Sequence, residues 1–319
     1  MDLRRSLPTL GLVALLVVDL ALVVWALWPS STPRSAAAPS STSSFSGSAS
    51  PTGSGSPSPS PSPSDGEGEA VPAAPLTRLV AGVDARVAWL ADAGTCEDAG
   101  AVHVTTDGGQ GFSTAAAPGS VTRVRPSDEG NGFVVGGDSR CRIRLWNTGV
   151  AGEEWTDAQS AADAWGRDPE DATRVHRPGG DPVTPCEGGA RVVDLAGLRD
   201  GVGSVVCSDG TLRTTTNGGG RWTTTLTAEG LVALSLTAPG RGAIALVTGD
   251  CAGVAVAALD DGKAGEVQCI EDVTPREGQV AVSVVARATW LVAGDTVLRA
   301  GSANASTGEF EKVGTWPEG

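Results

Sequence analysis

Two eight-residue stretches decide the fold that this sequence predicts: Thr105-Thr106-Asp107-Gly108-Gly109-Gln110-Gly111-Phe112 and Thr215-Thr216-Asn217-Gly218-Gly219-Gly220-Arg221-Trp222. Both have the form T-x-(D/N)-x-G-x-x-(F/W). An Asp or Asn side chain can accept backbone N–H bonds inside a tight turn, Gly supplies the positive φ that such a turn requires, and the closing aromatic ring can pack beneath it. The sequence therefore predicts a structural role for Thr105, Asp107, Gly109, Phe112, Thr215, Asn217, Gly219 and Trp222.

The chain around these stretches repeats about every 45 residues. Cys96, Cys141, Cys207 and Cys251 precede similar hairpin patterns and Thr296 continues the series, with spacings of 45, 66, 44 and 45 residues. One step therefore carries an insertion of about 21 residues. Self-similarity at such a period is typical of repeat architectures.

Each repeat contains four short apolar segments separated by Gly, Asp and Asn, which predicts four β-strands. Four strands in about 45 residues is the pattern of a propeller blade. The sequence thus predicts an all-β, five- or six-bladed β-propeller of four-stranded antiparallel blades over residues 76–319. In the second repeat, 153–158 (EEWTDA) is the predicted fourth strand, and 157–189 is either an insertion loop or a degenerate sixth blade.

The two turns resemble the Asp box of the bacterial neuraminidase repeat, which occurs in sialidases, sortilin-type receptors and photosystem II assembly-factor-like propellers. The resemblance covers roughly residues 76–319. The turns at 147–155, 260–261 and 304–310 match the form less well. In that family the box is a structural element on the rim of the blade, so the resemblance implies no catalytic role for it.

The N-terminal segment predicts a membrane anchor. Residues 10–28 contain one charge, Asp19, and about twenty apolar residues suffice to cross a bilayer. Arg4 and Arg5 precede this segment, which places the N-terminus in the cytoplasm and the rest of the chain outside. A cleaved secretory signal is the alternative. Asp19 is either tolerated by a long apolar helix or pairs with another helix in the membrane.

The segments on either side of the predicted helix have different compositions. Residues 1–9 are the predicted cytoplasmic tail. Residues 29–75 are rich in Ser, Pro, Thr, Ala and Gly, and such a composition cannot bury enough apolar surface to offset chain entropy. They are therefore the predicted disordered linker, with a Ser/Thr density that would suit O-glycosylation.

Six cysteines in an exported domain predict disulfides. Fifteen connectivities are possible, and sequence alone does not choose among them. Strand geometry suggests Cys251–Cys269 across a hairpin, Cys186–Cys207 at the insertion, and Cys96–Cys141 between adjacent blades.

Composition excludes several classes of site. Lys and Arg total 23 against 37 Asp and Glu, which gives a formal charge of −14 and argues against nucleic-acid binding. There is no Tyr, which a sialidase would need as nucleophile, and His103 and His176 are the only histidines. We expect each histidine to be a surface or rim residue, and we expect no metal site or cofactor. The arginines at 123, 125, 140, 142 and 144 alternate along strands, which favours a solvated or salt-bridged face over an anion site.

These features together predict a non-catalytic propeller on the outer side of the cytoplasmic membrane. Its partners would be the lipid bilayer, through residues 10–28, and an unidentified envelope protein or glycan. The alternative is a glycan-cleaving hydrolase with two carboxylates at the channel mouth. Arg outnumbers Lys, and Ala and Gly are abundant, which indicates a high-GC bacterial source such as an actinobacterium.

Overall fold

The computed structural model describes residues 72–199, 201–301 and 308–317. The predicted tail and anchor helix, and all but the last four residues of the predicted linker, lie outside these residues. Within them, no helix is long and apolar enough to span a membrane.

The described residues form 23 strands in six antiparallel sheets. Blade 1 contains β1 Arg78–Gly82, β2 Ala88–Asp92, β3 Ala101–Thr105 and β4 Ser113–Ala116, and blade 2 contains β5 Arg123–Pro126, β6 Gly132–Gly137, β7 Ile143–Thr148 and β8 Gln159–Ser160. Blade 3 contains β9 Gly166–Arg167, β10 Val175–Arg177 and β11 Gly180–Val183, and blade 4 contains β12 Val192–Gly197, β13 Gly203–Cys207, β14 Thr211–Thr215 and β15 Thr223–Thr227. Blade 5 contains β16 Leu231–Ala238, β17 Arg241–Leu246, β18 Val254–Asp260 and β19 Lys263–Ile270, and blade 6 contains β20 Val280–Val285, β21 Ala288–Ala293, β22 Thr296–Ala300 and β23 Phe310–Thr315. The predicted propeller is confirmed, and it has six blades.

Antiparallel order gives the propeller two distinct faces. The turns between first and second strands and between third and fourth strands lie on one side, which we call the upper face; the turns between second and third strands lie on the lower face. On the upper face, a main-chain N–H in the second of a blade's two upper turns donates to a carbonyl in the first, at 2.7–2.9 Å. This bond occurs in five blades: Gly108 to Arg86, Ala151 to Gly130, Gly179 to Ala162, Gly218 to Gly201, and Gly262 to Gly240. This shared bond shows that the blades are true repeats.

Blade 3 lacks an inner strand. Its Gly179–Ala162 bond aligns β9, β10 and β11 with the second, third and fourth strands of the other blades. Arg123, from the inner strand β5, lies in the vacant position and donates to the carbonyls of Trp165 (3.2 Å) and Gly197 (2.6 Å). The segment for which insertion loop and degenerate blade were both open, 157–189, therefore contains β8 and this short blade.

A chain of hydrogen bonds joins neighbouring inner strands around the channel. Asp194 on β12 accepts the N–H of Leu234 on β16 at 2.8 Å. Ser235 on β16 accepts the N–H of Val284 on β20 at 2.9 Å. Ser283 on β20 accepts the N–H of Gly82 on β1 at 3.0 Å, which closes the ring between the last blade and the first. No strand is exchanged between these two blades, so the closure depends on this side-chain contact and on main-chain bonds from Thr77 and Arg78 to the carbonyl of Gly278.

Tryptophan and glycine pairs fill three of the spaces between blades. Trp290, Trp89 and Trp165 are at most 2% exposed. A Cβ on Gly82, Gly132 or Gly197 of the following blade would come within 2.7, 2.9 or 2.3 Å of the respective indole. Glycine is required at these positions because the rings occupy the space of a side chain. Burial of each indole stabilises the fold by several kcal/mol, in the range of about 3–5 kcal/mol lost on truncation to Ala.

One predicted strand is wrong. Residues 153–158 form a loop, and the outer strand of blade 2 is the two-residue β8 at Gln159–Ser160. The Trp155 indole N–H donates to the carbonyl of Ala116 at 3.0 Å, and the Thr156 N–H donates to the carbonyl of Asn147 at 2.9 Å. These bonds hold residues 153–158 in a loop against blade 1, so the outer strand of blade 2 begins only at Gln159.

Candidate functional site

The two turns that predicted the fold lie on the upper face, at the rims of blades 1 and 4. In blade 1, the Thr105 hydroxyl donates to Asp107 Oδ1 and accepts the N–H of Gly109, both at 2.9 Å. Asp107 Oδ1 also accepts the N–H groups of Gln110 and Gly111. The bond from Gly111, followed by the bond from Thr105, lowers the pKa of Asp107.

Blade 4 repeats this arrangement with an amide in place of the carboxylate. The Thr215 hydroxyl donates to Asn217 Oδ1 at 2.9 Å and accepts the N–H of Gly219 at 3.0 Å. Asn217 Oδ1 accepts the N–H of Arg221 at 2.9 Å. The closing rings, Phe112 and Trp222, are partly buried against apolar residues of their blades. In both motifs the threonine hydroxyl and the Oδ1 atom are bonded within their own turn, so these groups hold the rim.

Blade 2 contains a third such turn that is incomplete. Thr148 accepts the N–H of Gly152 at 3.0 Å, as Thr105 and Thr215 do for their glycines. Val150 stands where the other turns have Asp or Asn, and it is 45% exposed. Ala151 has φ of 55° at the position that is glycine in the other two turns. The spacing of Thr148, Gly152 and Trp155 is the same as that of Thr105, Gly109 and Phe112, so the sequence contained a signal for this third turn.

Three disulfides join residues at or next to the lower face. They are Cys96–Cys141, Cys186–Cys207 and Cys251–Cys269, the pairs that strand geometry suggested. The first links the lower turns of blades 1 and 2. Beside it, Asp138 receives bonds from Arg142 (2.7 Å) and Arg144 (3.4 Å), so two of the alternating arginines form salt bridges as predicted.

Residues 72–77, which we call the lead-in segment, lie at the lower end of the central channel. The Leu76 N–H donates to the carbonyl of Val193 at 3.0 Å, and the Leu76 carbonyl accepts a bond from Arg167 Nη2 at 2.7 Å. Thr77 donates from its N–H to the carbonyl of Gly278 at 2.7 Å. Leu76 is buried and lines the channel cavity of about 90 Å³. Leu76 therefore bridges blade 1 to blades 3 and 4 at the lower end of the channel, where a second cavity of about 260 Å³ shares Leu76 and Thr122 with the channel lining.

The channel itself contains one carboxylate among its described lining residues, Asp194. Removal from water raises the pKa of Asp194, although the Leu234 N–H and the charge of Arg167 act in the opposite direction. Burial, together with the nearby charge of Arg125, lowers the pKa of Arg123 to about 10. Asp194 accepts a main-chain N–H of blade 5, and Arg123 donates to main-chain carbonyls of blades 3 and 4, so both hold the ring together. The expectation of a solvated or salt-bridged position was wrong for Arg123, which bonds carbonyls in the interior.

The upper end of the channel opens into a cavity of about 380 Å³, which we call the upper mouth. It continues into the channel, because Arg125, Ser235 and Ser283 line both. The hydroxyl-bearing residues Ser127, Ser235, Thr237 and Ser283 lie among apolar ones, and Arg125 is the one charged residue of the described lining. Partial removal from water and the positive charge of Arg199 lower the pKa of Arg125. Neither guanidinium has a hydrogen-bond or ion-pair partner among the described residues.

The expectation of a surface or rim position was wrong for His103. Its side chain is fully buried, with one ring nitrogen 2.9 Å from Asp92 Oδ2 and the other 2.9 Å from Thr114 Oγ1. Trp316 packs edge-on against it and donates to Asp92 Oδ1. The imidazole therefore joins blade 1 to the end of blade 6. His176 is partly buried and lies 3.2 Å from Asp168 Oδ2.

Comparisons with known proteins place the chain beside other propeller structures at low similarity. No family model matches the chain, and no curated protein matches it. A solved structure of YCF48 bound to D1 peptide is 17% identical over 76% of this chain and 84% of that chain, with a TM-score of 0.41. A GH74 enzyme from Niastella koreensis is 12% identical over 76% of this chain and 46% of that chain, with a TM-score of 0.41. A GH74 xyloglucanase from Xanthomonas campestris is 15% identical over 74% of this chain and 38% of that chain, with a TM-score of 0.30.

The chain thus spans less than half the length of the two GH74 chains it matches. At these TM-scores none of the likenesses bears on function.

Proposed function

We propose that this chain is a non-catalytic propeller, tethered to the outer side of the cytoplasmic membrane, that binds an envelope protein or glycan. The observation that carries the proposal is the upper mouth, an open cavity of about 380 Å³ lined by aliphatic and hydroxyl-bearing residues and by Arg125, whose guanidinium has no partner among the described residues. Ligand sites in rigid scaffolds are typically concave, mostly apolar and furnished with a few placed polar groups.

The three disulfides support the proposed location. Disulfides form and persist in oxidising compartments and are rare in a bacterial cytoplasm. Residues 10–28 would supply the anchor and the Ser/Pro-rich residues after them the tether. The propeller would then be held at a distance from the bilayer that a flexible chain of this length allows.

The channel argues against the hydrolase alternative. Glycoside hydrolysis with two carboxylates requires a pair about 5–9.5 Å apart on either side of the scissile bond. The described lining of the channel offers Asp194 alone, and its Oδ2 accepts the N–H of Leu234 within the wall. At the upper mouth the described lining holds no carboxylate.

The test uses the full-length chain in a bacterial host. Alkaline phosphatase fused after Gly319 is active only outside the cytoplasm, so we expect activity, and we expect loss of activity when residues 10–28 are deleted. Cross-linking pull-down from envelope membranes should recover a defined partner, and a glycan array probed with the same chain would show a sugar ligand instead. An inactive phosphatase fusion, or no enrichment in either binding assay, would overturn the proposal.

A further inference from the structure

The second cavity at the lower end of the propeller lies beside blade 3, the blade that lacks an inner strand. It has a volume of about 260 Å³ and is lined by the lead-in segment and by blades 1, 2 and 3; we call it the lower cavity. Clefts that hold drug-sized ligands measure about 300–1,000 Å³, whereas one water molecule in the liquid takes about 30 Å³. The lower cavity therefore has room for a small organic molecule.

A buried arginine of this lining has donors that the chain does not use. Arg167 lies on β9, lines the lower cavity and is 7% exposed. Its Nη2 donates to the carbonyl of Leu76 at 2.7 Å, and its Nε and Nη1 have no acceptor among the described residues. Asp194 is near enough to attract the guanidinium, but its oxygens accept the N–H groups of Leu195 and Leu234. Because an unpaired buried donor is costly, the free N–H groups of Arg167 are left for an acceptor that enters the cavity.

The hydroxyl groups of the lower cavity are already bonded within the chain. Thr77 and Thr122 each donate to a main-chain carbonyl, at 3.1 Å in both cases. Ser120 accepts a main-chain N–H at 2.9 Å. Polar recognition in this cavity therefore depends on its charged side chains.

Two carboxylates belong to the same lining, and they differ in what they bond. Asp168 Oδ1 accepts the N–H groups of Glu170 and Asp171 at 3.0 and 3.1 Å, and Asp168 Oδ2 lies 3.2 Å from His176 Nε2. The Glu170 side chain is exposed and has no hydrogen-bond or ion-pair partner among the described residues. These acids repel a ligand that carries negative charge alone. A ligand with a cationic group beside its carboxylate matches both charges of the lining.

We propose that the lower cavity binds a small zwitterion of the α-amino acid class, with its carboxylate on the free N–H groups of Arg167 and its ammonium group facing Glu170. Hydrogen bonds between ionised groups are the strong ones, and the site offers one at each end of such a ligand. Pro75, Leu76 and Val121 supply apolar wall for a short aliphatic side chain. This site lies at the opposite end of the channel from the upper mouth and does not depend on the proposed binding of an envelope partner.

The probe is L-valine, and its binding to the full-length chain in detergent micelles is measured by isothermal titration calorimetry. Two analogues each lack one charge: N-acetyl-L-valine has no ammonium group, and L-valine amide has no carboxylate. A site that hydrogen-bonds a group of its ligand rejects the analogue without that group. We expect L-valine to bind and each analogue to bind at least about tenfold more weakly. Absence of L-valine binding, or equal affinity for the three compounds, would overturn the assignment and leave Arg167 bonded to water.

Three variants test the parts of the site. Arg167→Gln removes the cation and should abolish L-valine binding. Glu170→Gln removes the exposed counter-charge of the ammonium group and should weaken binding about threefold to tenfold. Ala172→Leu reduces the space in the cavity without a change of charge and should weaken binding about tenfold or more.

Glu97→Gln is the matched control, because Glu97 is exposed on the same face and does not line the cavity. It should leave L-valine binding unchanged. The thermal midpoint of each variant without ligand reports on folding. Arg167→Gln also alters the bond to Leu76, so Glu170→Gln and Ala172→Leu decide the question if that variant fails to fold. Unchanged binding in both of them, or an equal loss in Glu97→Gln, would refute the site and leave the proposed function of the upper mouth intact.

Discussion

The two faces of this propeller are held together in different ways. The lower face has all three disulfides and the lead-in segment, which bonds blade 4 through Leu76. The upper face has the threonine-centred turns and the open mouth, with no covalent link among its described residues. The lower face is therefore fixed by covalent bonds, whereas the upper face depends on hydrogen bonds within its turns.

The largest effect should come from opening the lower face. Replacement of Cys251 and Cys269 by Ala removes a bridge that spans 18 residues. Such a bridge restricts the unfolded chain, and its loss should lower the free energy of unfolding by about 3 kcal/mol. Urea unfolding followed by tryptophan fluorescence measures this. Ser139→Ala, on an exposed part of the same face, is the control and should change the value by less than about 0.5 kcal/mol. A loss below about 1 kcal/mol would show that the lower face does not depend on its bridges.

A smaller effect should follow from breaking one upper turn. Thr215→Val preserves the shape of a buried side chain but removes the acceptor of the Gly219 N–H. An unpaired buried donor costs about 1–3 kcal/mol, so we expect a loss of about 2 kcal/mol. The neighbouring Thr216→Val is the matched control, because Thr216 is exposed. Equal losses in both variants would mean that the threonine hydroxyl does not hold the turn.

Repair of the incomplete turn in blade 2 should have an effect of opposite sign. Val150→Asp supplies the missing acceptor, and Ala151→Gly relieves the positive φ at the next position. Together they should raise the free energy of unfolding by about 1 kcal/mol. Val150→Ser is the comparison, since it removes the exposed apolar group without adding a carboxylate. If Val150→Ser raises the free energy of unfolding as much as the double variant does, the gain comes from removal of the exposed apolar side chain and not from completion of the turn.

The sequence predicted the parts of this molecule that are repeated or local. The threonine, Asp or Asn, and glycine of each intact turn interact within five residues of one another, so their geometry follows from spacing. The 45-residue period predicted the blades because each blade is one continuous segment of chain.

The features that the sequence missed depend on contacts between distant residues. Leu76 bonds Val193, and Ser283 bonds Gly82, across the ring. His103 is buried because Trp316 comes back from the end of blade 6 to cover it. No sequence pattern showed that blade 3 lacks an inner strand, because the residue in that position, Arg123, belongs to blade 2. No local pattern encodes such pairs, and the upper mouth exists only after all the blades close.

The smallest effect should come from one aspartate on each face, because the interactions that stabilise the two carboxylates differ. Asp138 on the lower face and Asp107 on the upper face both have pKa values below the usual range. For Asp138 the first cause is the bond from Arg142, whereas for Asp107 it is the N–H of Gly111. A carboxyl whose pKa is lower in the folded state stabilises the fold above its unfolded pKa of about 3.9, and this stabilisation is lost as the pH falls below that value.

Asp138→Asn and Asp107→Asn should therefore each lower the thermal midpoint at pH 7 by about 1–2 °C, and the difference from the parent chain should shrink as the pH falls below about 4. Salt distinguishes the two. In about 0.5 M NaCl the effect of Asp138→Asn should diminish in part, because salt screens its ion pair with the exposed Arg142 but not the bonds that its Oδ1 accepts from the N–H groups of Arg140 and Arg142. The effect of Asp107→Asn should persist, because its bonds to Gln110 and Gly111 are short-range contacts of 2.9 and 3.0 Å within one turn. Equal salt sensitivity would mean that both faces rely on the same long-range electrostatics, and the contrast between an ion-paired lower turn and a hydrogen-bonded upper turn would not hold.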